Sequence, residues 1–154
     1  MVRDFMKVYN EWLNSSLLNK QEKEELLSIK DDPKAIEDRF FQDLAFGTGG
    51  LRGVMELGTN RMNRFMIRKA TQGLANYLNK KYKNSSVAVG YDSRNHSEEY
   101  ARETAATLAA NGIKVHLYPE LMPTPTISFA LRYFKCQSGV VVTASHNPKI
   151  YNGY

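Results

Sequence analysis

Cysteine occurs once in 154 residues, at Cys136, so no internal disulfide can form, and a lone thiol fits a reducing compartment. Its expected role is that of a buried structural thiol near a helix end. No apolar run approaches the roughly 20 residues that a membrane-crossing helix needs. The opening residues, Met1 to Lys7, lack the apolar core and small-residue cleavage site of a secretory signal. These absences make a cytoplasmic location and no membrane partner the expectation. Repeats of solenoid length and low-complexity linkers are also missing. Two catalytic signatures are missing as well: the Gly-Lys-Ser/Thr ending of a Walker loop and the Gly-x-Ser-x-Gly elbow of a serine hydrolase.

What is present suits a folded domain. The chain is 42% hydrophobic and 24% charged, and its length matches the roughly 100–150 residues most common for one domain. Charge is divided unevenly. Residues 1–45 carry seven Lys/Arg against ten Asp/Glu, whereas residues 46–154 carry fourteen against six, a net of +8. A basic field of that size suits a phosphorylated ligand, and nucleic acid also. Lys80, Lys81 and Lys83 fall in a helix tail, where cations suit the dipole, and read as solvated side chains.

Two patterns succeed one another along the chain. Up to about residue 44, helical spacing dominates: Phe5, Tyr9, Trp12 and Leu13, then Ile36, Phe40 and Leu44, with Asp32-Pro33 as an N-cap followed by proline. Leu26, Leu27 and Ile29 mark one side of a further helical stretch. From Leu51 strands and helices alternate. Strands are expected near 51–56, 87–91, 113–118 and 139–143. Helices are expected near 63–82, with an apolar stripe of Met66, Ile67, Ala70, Leu74, Tyr77 and Leu78, near 97–111, and from a Thr124-Pro125 cap to about 135. The expectation is an α/β fold: a three-layer α/β/α domain with a mixed four-stranded sheet over residues 46–154, preceded by a helical extension over 1–45.

The strand Gly139-Val140-Val141-Val142 runs into Thr143-Ala144-Ser145-His146-Asn147-Pro148. Such a strand is buried on both faces, and its C-terminal end is where open α/β sheets bind ligands. Ser145 can be a nucleophile projecting into a cleft there, with an ordinary turn serine as the alternative that the residues alone leave open. His146, its neighbour on an extended segment, is expected to point to the opposite side, where it can contact an anionic ligand or hold the loop through a backbone bond, rather than act as the base for Ser145. Asn147 shapes the turn. Arg52, between the glycines of Gly50-Leu51-Arg52-Gly53, can grip a phosphate with two parallel bonds. Arg94 either supports the site or closes a local ion pair with Asp92. Asp92, Asp43 and Glu56 are too scattered in sequence to suggest a metal site.

Thr-Ala-Ser-His-Asn-Pro followed by Tyr151-Asn152-Gly153 resembles the phosphoserine signature of the α-D-phosphohexomutases, the family of phosphoglucomutase and phosphomannomutase. Phe46-Gly47-Thr48-Gly49-Gly50-Leu51-Arg52-Gly53, continuing through Gly58-Thr59-Asn60-Arg61-Met62-Asn63, is similar to that family's N-terminal segment. Val89-Gly90-Tyr91-Asp92-Ser93-Arg94 resembles its strand followed by an Asp-x-Arg turn. The helical extension and the first of these segments look most like the phosphoglucomutase branch that includes phosphopentomutases. The resemblance implies that Ser145 carries a phosphoryl group, exchanged with a sugar phosphate through a sugar bisphosphate that also serves as activator. It places Arg52 beside the phosphoserine; His146 is expected to share in catalysis with Ser145, and Asn147 and Arg94 to join Arg52 in binding the phosphorylated substrate. It also implies Mg2+, held by the phosphate on Ser145 and by an Asp-Gly-Asp-Gly-Asp-Arg loop of a second domain. That loop is not in this sequence, nor are the family's Glu-x-Ser and Arg-x-Ser-Gly-Thr segments. The chain is thus expected to be most of the first domain of a longer enzyme, inactive alone and partnered by the remaining domains, with glucose phosphate as the first expected substrate and mannose or pentose phosphates as alternatives.

The residues themselves leave two other classes open. A serine hydrolase would use Ser145, His146 or His116, and Asp92. A nucleic-acid-binding module would use the basic stretch 61–69, although Met66 and Ile67 there belong to an apolar stripe.

Overall fold

The computed structural model describes residues 3–47 and 49–154. Met1, Val2 and Thr48 lie outside the described residues.

Three short helices come first: α1 (Phe5–Leu13), α2 (Lys20–Ser28) and α3 (Pro33–Phe40). Each has a polar side chain at its start. Asp4 accepts from Lys7 N–H, Asn19 and Glu22 form a reciprocal capping box, and Asp32 accepts from Lys34 and Ala35 N–H ahead of Pro33. Their apolar sides close on a core of Tyr9, Leu26, Ile36, Phe40 and Leu57, with Leu27 left exposed. Trp12 meets Phe40 and Phe65 edge to face, at centroid distances of 5.6 and 5.3 Å, which locks the helices onto the following segment. Arg64 adds a paired hydrogen bond to Glu22 at 2.6 and 2.8 Å.

The rest alternates: β1 (Arg52–Val54), α4 (Arg64–Lys81), β2 (Ser86–Tyr91), α5 (Ser97–Ala110), β3 (Lys114–Leu117), α6 (Thr124–Tyr133), β4 (Ser138–Val142) and β5 (Tyr151–Gly153). The strands β3-β2-β4 form a parallel sheet with β2 central. Strand alternation gives Val87, Val89, Tyr91, Val140 and Val142 to the core shared with Tyr100, Ala101 and Leu108 of α5. Gly90 and Gly139 fall on the opposite face. A Cβ there would sit 2.6 and 2.8 Å from Ile127, so these glycines let α6 lie close against the sheet. The layers are therefore α4 and α5, the sheet, and α6, as the expected α/β/α class requires.

Several details depart from expectation. The strands do not make one mixed four-stranded sheet. Three are parallel, and β1 pairs separately with β5 in antiparallel register, Arg52 opposite Gly153. A hydrogen bond from Thr143 N–H to the Gly153 carbonyl, 3.1 Å, joins the two sheets where β4 ends. In α4 Tyr77 is 56% exposed while Thr71 and Ala75 are buried, because the packing of α5 selects a stripe turned toward those positions. Pro123, not Thr124, occupies the N-cap of α6, which has no side-chain cap bond. Cys136 is half-buried.

Candidate active site

Parallel strands deliver their C-terminal ends to one edge, so β2 and β4 bring Asp92-Ser93-Arg94 and the Thr143–Pro148 loop side by side. The antiparallel β1–β5 pair brings Arg52 to the same edge, where its Nη1 donates to Asn147 Oδ1 at 3.2 Å. Ser145, His146, Asn147, Arg52 and Arg94 thus meet in space, although Arg52 precedes Asn147 by 95 positions.

The loop is sharply bent. Ser145 has φ +54°, a left-handed conformation that costs a residue with a Cβ on the order of 1–2 kcal/mol. Its N–H donates to Thr143 Oγ1 at 3.0 Å, and Asn147 N–H donates to the Ala144 carbonyl at 3.0 Å. Ala144 is fully buried, whereas Ser145 and His146 are exposed. The bend corrects one expectation. Residues 145 and 146 do not lie on an extended segment, and Ser145 Oγ stands 3.3 Å from His146 Nδ1, within hydrogen-bond reach.

Arg94 holds the loop from below. Its Nη1 donates to the carbonyls of Pro148 and Tyr151, both at 3.1 Å, and its Nη2 to those of Ser145 and Asn147, both at 2.7 Å. Nε faces Asp92 Oδ2 at 3.5 Å, so the local ion pair also forms. With its donors directed at the protein, Arg94 fixes loop backbone. Arg52 is exposed, its guanidinium bonds to Asn147 alone among the described residues, and it lines a groove of about 660 Å³ together with Gly49, Gly50, Val141 and Tyr154. Lys149 and Arg94 border a second depression of about 460 Å³ that contains Ser145. The surroundings of the serine are cationic, with Asp92 the one carboxylate on that depression.

Behind the loop runs a chain of polar contacts that sequence reasoning did not single out. Thr143 Oγ1 donates to Asp92 Oδ2 at 2.6 Å, and Asp92 Oδ1 accepts from Ser97 Oγ at 2.7 Å and from Arg94 N–H at 3.0 Å. Asn152 Nδ2 donates to Ser97 Oγ at 3.0 Å and to the Asn95 carbonyl at 2.9 Å. Ser97 and Asn152 are buried. Thr143, Asp92 and Asn152 each lie in a quoted motif, but Ser97, which joins Asp92 to Asn152, has no local pattern that marks it.

Among the described residues no three His, Cys, Asp or Glu side chains gather as metal ligands. Asp92, the carboxylate on the depression that holds Ser145, is already engaged by Thr143, Ser97 and Arg94, so the loop by itself forms no metal site.

Residues 43–154 match the family described as phosphoglucomutase/phosphomannomutase, alpha/beta/alpha domain I. A phosphoglucomutase of Staphylococcus haemolyticus is 46% identical over 117 residues, covering 76% of this chain and 21% of that protein. A phosphoribomutase of Saccharomyces cerevisiae is 46% identical over 132 residues, covering 83% and 21%. The crystal structure of a Thermus thermophilus protein assigned as a phosphomannomutase superposes with a TM-score of 0.67 at 34% identity, covering 73% of this chain and 25% of that one. The chain spans about a fifth of the length of the curated relatives it matches.

Proposed function

The chain belongs to the phosphoglucomutase/phosphomannomutase family, and we propose that it supplies the phosphoryl-carrying loop of a sugar phosphomutase, with Ser145 as the carrier. In this reading residues 1–45 are a helical extension and residues 46–154 the first domain of a longer, cytoplasmic enzyme whose other domains hold the sugar. The observation that carries it is the placing of an exposed serine hydroxyl among Arg52, His146 and Lys149 at the carboxyl edge of a parallel sheet.

Phosphoryl transfer asks mainly for positioning and for positive charge around the migrating group. A hydroxyl of the sugar phosphate attacks the phosphorus on Ser145, the seryl O–P bond breaks, and a sugar bisphosphate forms. The proton lost by the sugar hydroxyl is the one Ser145 Oγ must gain, and His146 Nδ1, at 3.3 Å, is placed to hold it there. The bisphosphate turns over in the cleft, and its other phosphate returns to Ser145 by the reverse step. Arg52 holds the phosphate as it moves, Asn147 orients Arg52, and Arg94 keeps the loop carbonyls in place. A Mg2+ ion bound by the phosphate on Ser145 would neutralise charge on the transferred group. Glucose 1-phosphate and glucose 6-phosphate are the first substrate pair proposed, with mannose and pentose phosphates as the alternatives that the names of relatives suggest.

Mass spectrometry of the full-length parent protein tests the reading. Phosphate should be found on Ser145 and lost when excess glucose 1-phosphate is added. A phosphate on a different residue, discharged in its place, would refute it.

A further inference from the structure

Ser145 is a non-glycine residue held at φ +54°; Arg94 Nη2 holds its carbonyl at 2.7 Å, and its N–H meets the hydroxyl of Thr143, which in turn meets the carboxylate of Asp92. The last two contacts act in series. Because the Thr143 hydroxyl donates its only proton to Asp92 Oδ2, at 2.6 Å, its lone pairs are left to face the Ser145 N–H at 3.0 Å. Asp92 is itself fixed: its second oxygen accepts from Ser97 Oγ and Arg94 N–H, and Ser97 Oγ accepts from the buried Asn152. The line from Asn152 through Ser97, Asp92 and Thr143 to the Ser145 amide connects β5, the start of α5, the end of β2 and the end of β4.

We infer that Thr143, oriented by Asp92, is a positioning residue for the phosphoryl carrier. Its hydroxyl sets the backbone at Ser145 so that Oγ projects toward the cations and His146. The inference rests on Ser145 being the carrier, and it adds a cause for the carrier's geometry. A loop free to relax to negative φ would swing Oγ away from its place, and a misplacement of about 1 Å at a reacting atom can cost about 100-fold in rate.

Thr143→Val keeps the shape of the side chain and removes the hydroxyl, while Thr143→Ser keeps the hydroxyl and removes a methyl. In the full-length parent, turnover of glucose 1-phosphate with the activating bisphosphate present should fall about 100-fold in kcat for Thr143→Val. KM should be little changed, and Thr143→Ser should regain most of the rate. A simple loss of packing would follow the methyl and would not be rescued by serine. Near-normal kcat in Thr143→Val, or an equal fall in both variants, would overturn the inference. If Thr143→Val does not fold, Thr143→Ala replaces it in the comparison and the same two outcomes decide. Ser145→Ala is measured alongside. Should it keep its turnover, the carrier reading itself fails; should it be inactive while Thr143→Val is normal, only the positioning role of Thr143 fails.

Discussion

Arg52 Nη1 and Asn147 Oδ1 meet at 3.2 Å although the two residues are 95 positions apart in the chain. This bond spans the gap between β1 and the loop after β4, and it turns a basic side chain on a small antiparallel pair toward the serine on the parallel sheet. Arg52 is exposed, so a stability role for the bond is minor.

Arg52→Ala should therefore leave the melting temperature of the chain within the scatter of surface substitutions and act on turnover of the full-length parent. One cation among several aimed at developing charge contributes roughly 2–4 kcal/mol to the transition state. Arg52→Lys should recover only part of the rate, since an ammonium cannot reproduce the planar two-bond grip. Steady-state kinetics beside thermal melts check both statements.

Gly153→Ala should destabilise the fold by at least about 1–3 kcal/mol. A Cβ at that position would press on the Thr143 carbonyl and stand 2.8 Å from the Leu51 carbonyl, and backbone cannot step aside as a side chain can. The substitution strikes the junction where β5 meets the end of β4. Urea unfolding of the 154-residue chain measures it; a loss of less than about 0.5 kcal/mol, typical of a bland surface site, would contradict the packing described.

Acid should weaken the attachment of the N-terminal helices through Glu22. Hydrogen bonds from Arg64 pull the Glu22 carboxyl below the usual carboxylate range against the opposing effect of burial, helped by the Asn19 N–H and by the charges of Arg64 and Arg68. An unfolded Glu titrates near about 4.3. A lowered folded pKa gives stability that is fully present above that value and lost as pH falls through the folded one. Unfolding free energies taken from about pH 6 down to about pH 3 should show this loss, and Glu22→Gln should flatten that part of the slope. An unchanged slope would show that the Arg64 pair is not linked to folding.

The parts of this architecture that local sequence patterns encode were legible beforehand. Alternating strands and helices, the Asp32-Pro33 helix start and the serine loop after a run of valines each depend on residues close together in the chain. What was not legible depends on distant partners. The pairing of β1 with β5 has no periodic signal, because each strand is three residues long. Tyr77, expected in the apolar stripe, is exposed while Thr71 is buried, because α5, not the helix itself, chooses the buried side of α4. The approach of His146 to Ser145 depends on a left-handed residue that neither its own type nor its neighbours favour, and contacts from Asp92 through Thr143 support it.

The most direct test of the account is turnover of Ser145→Ala in the full-length parent with the activating bisphosphate supplied. Serine as the covalent relay removes the pathway itself when it is lost, so turnover should fall by several orders of magnitude, and further than in Arg52→Ala. Near-normal turnover in Ser145→Ala, with bisphosphate present and wild-type protein excluded by mass spectrometry, would contradict the phosphoserine mechanism.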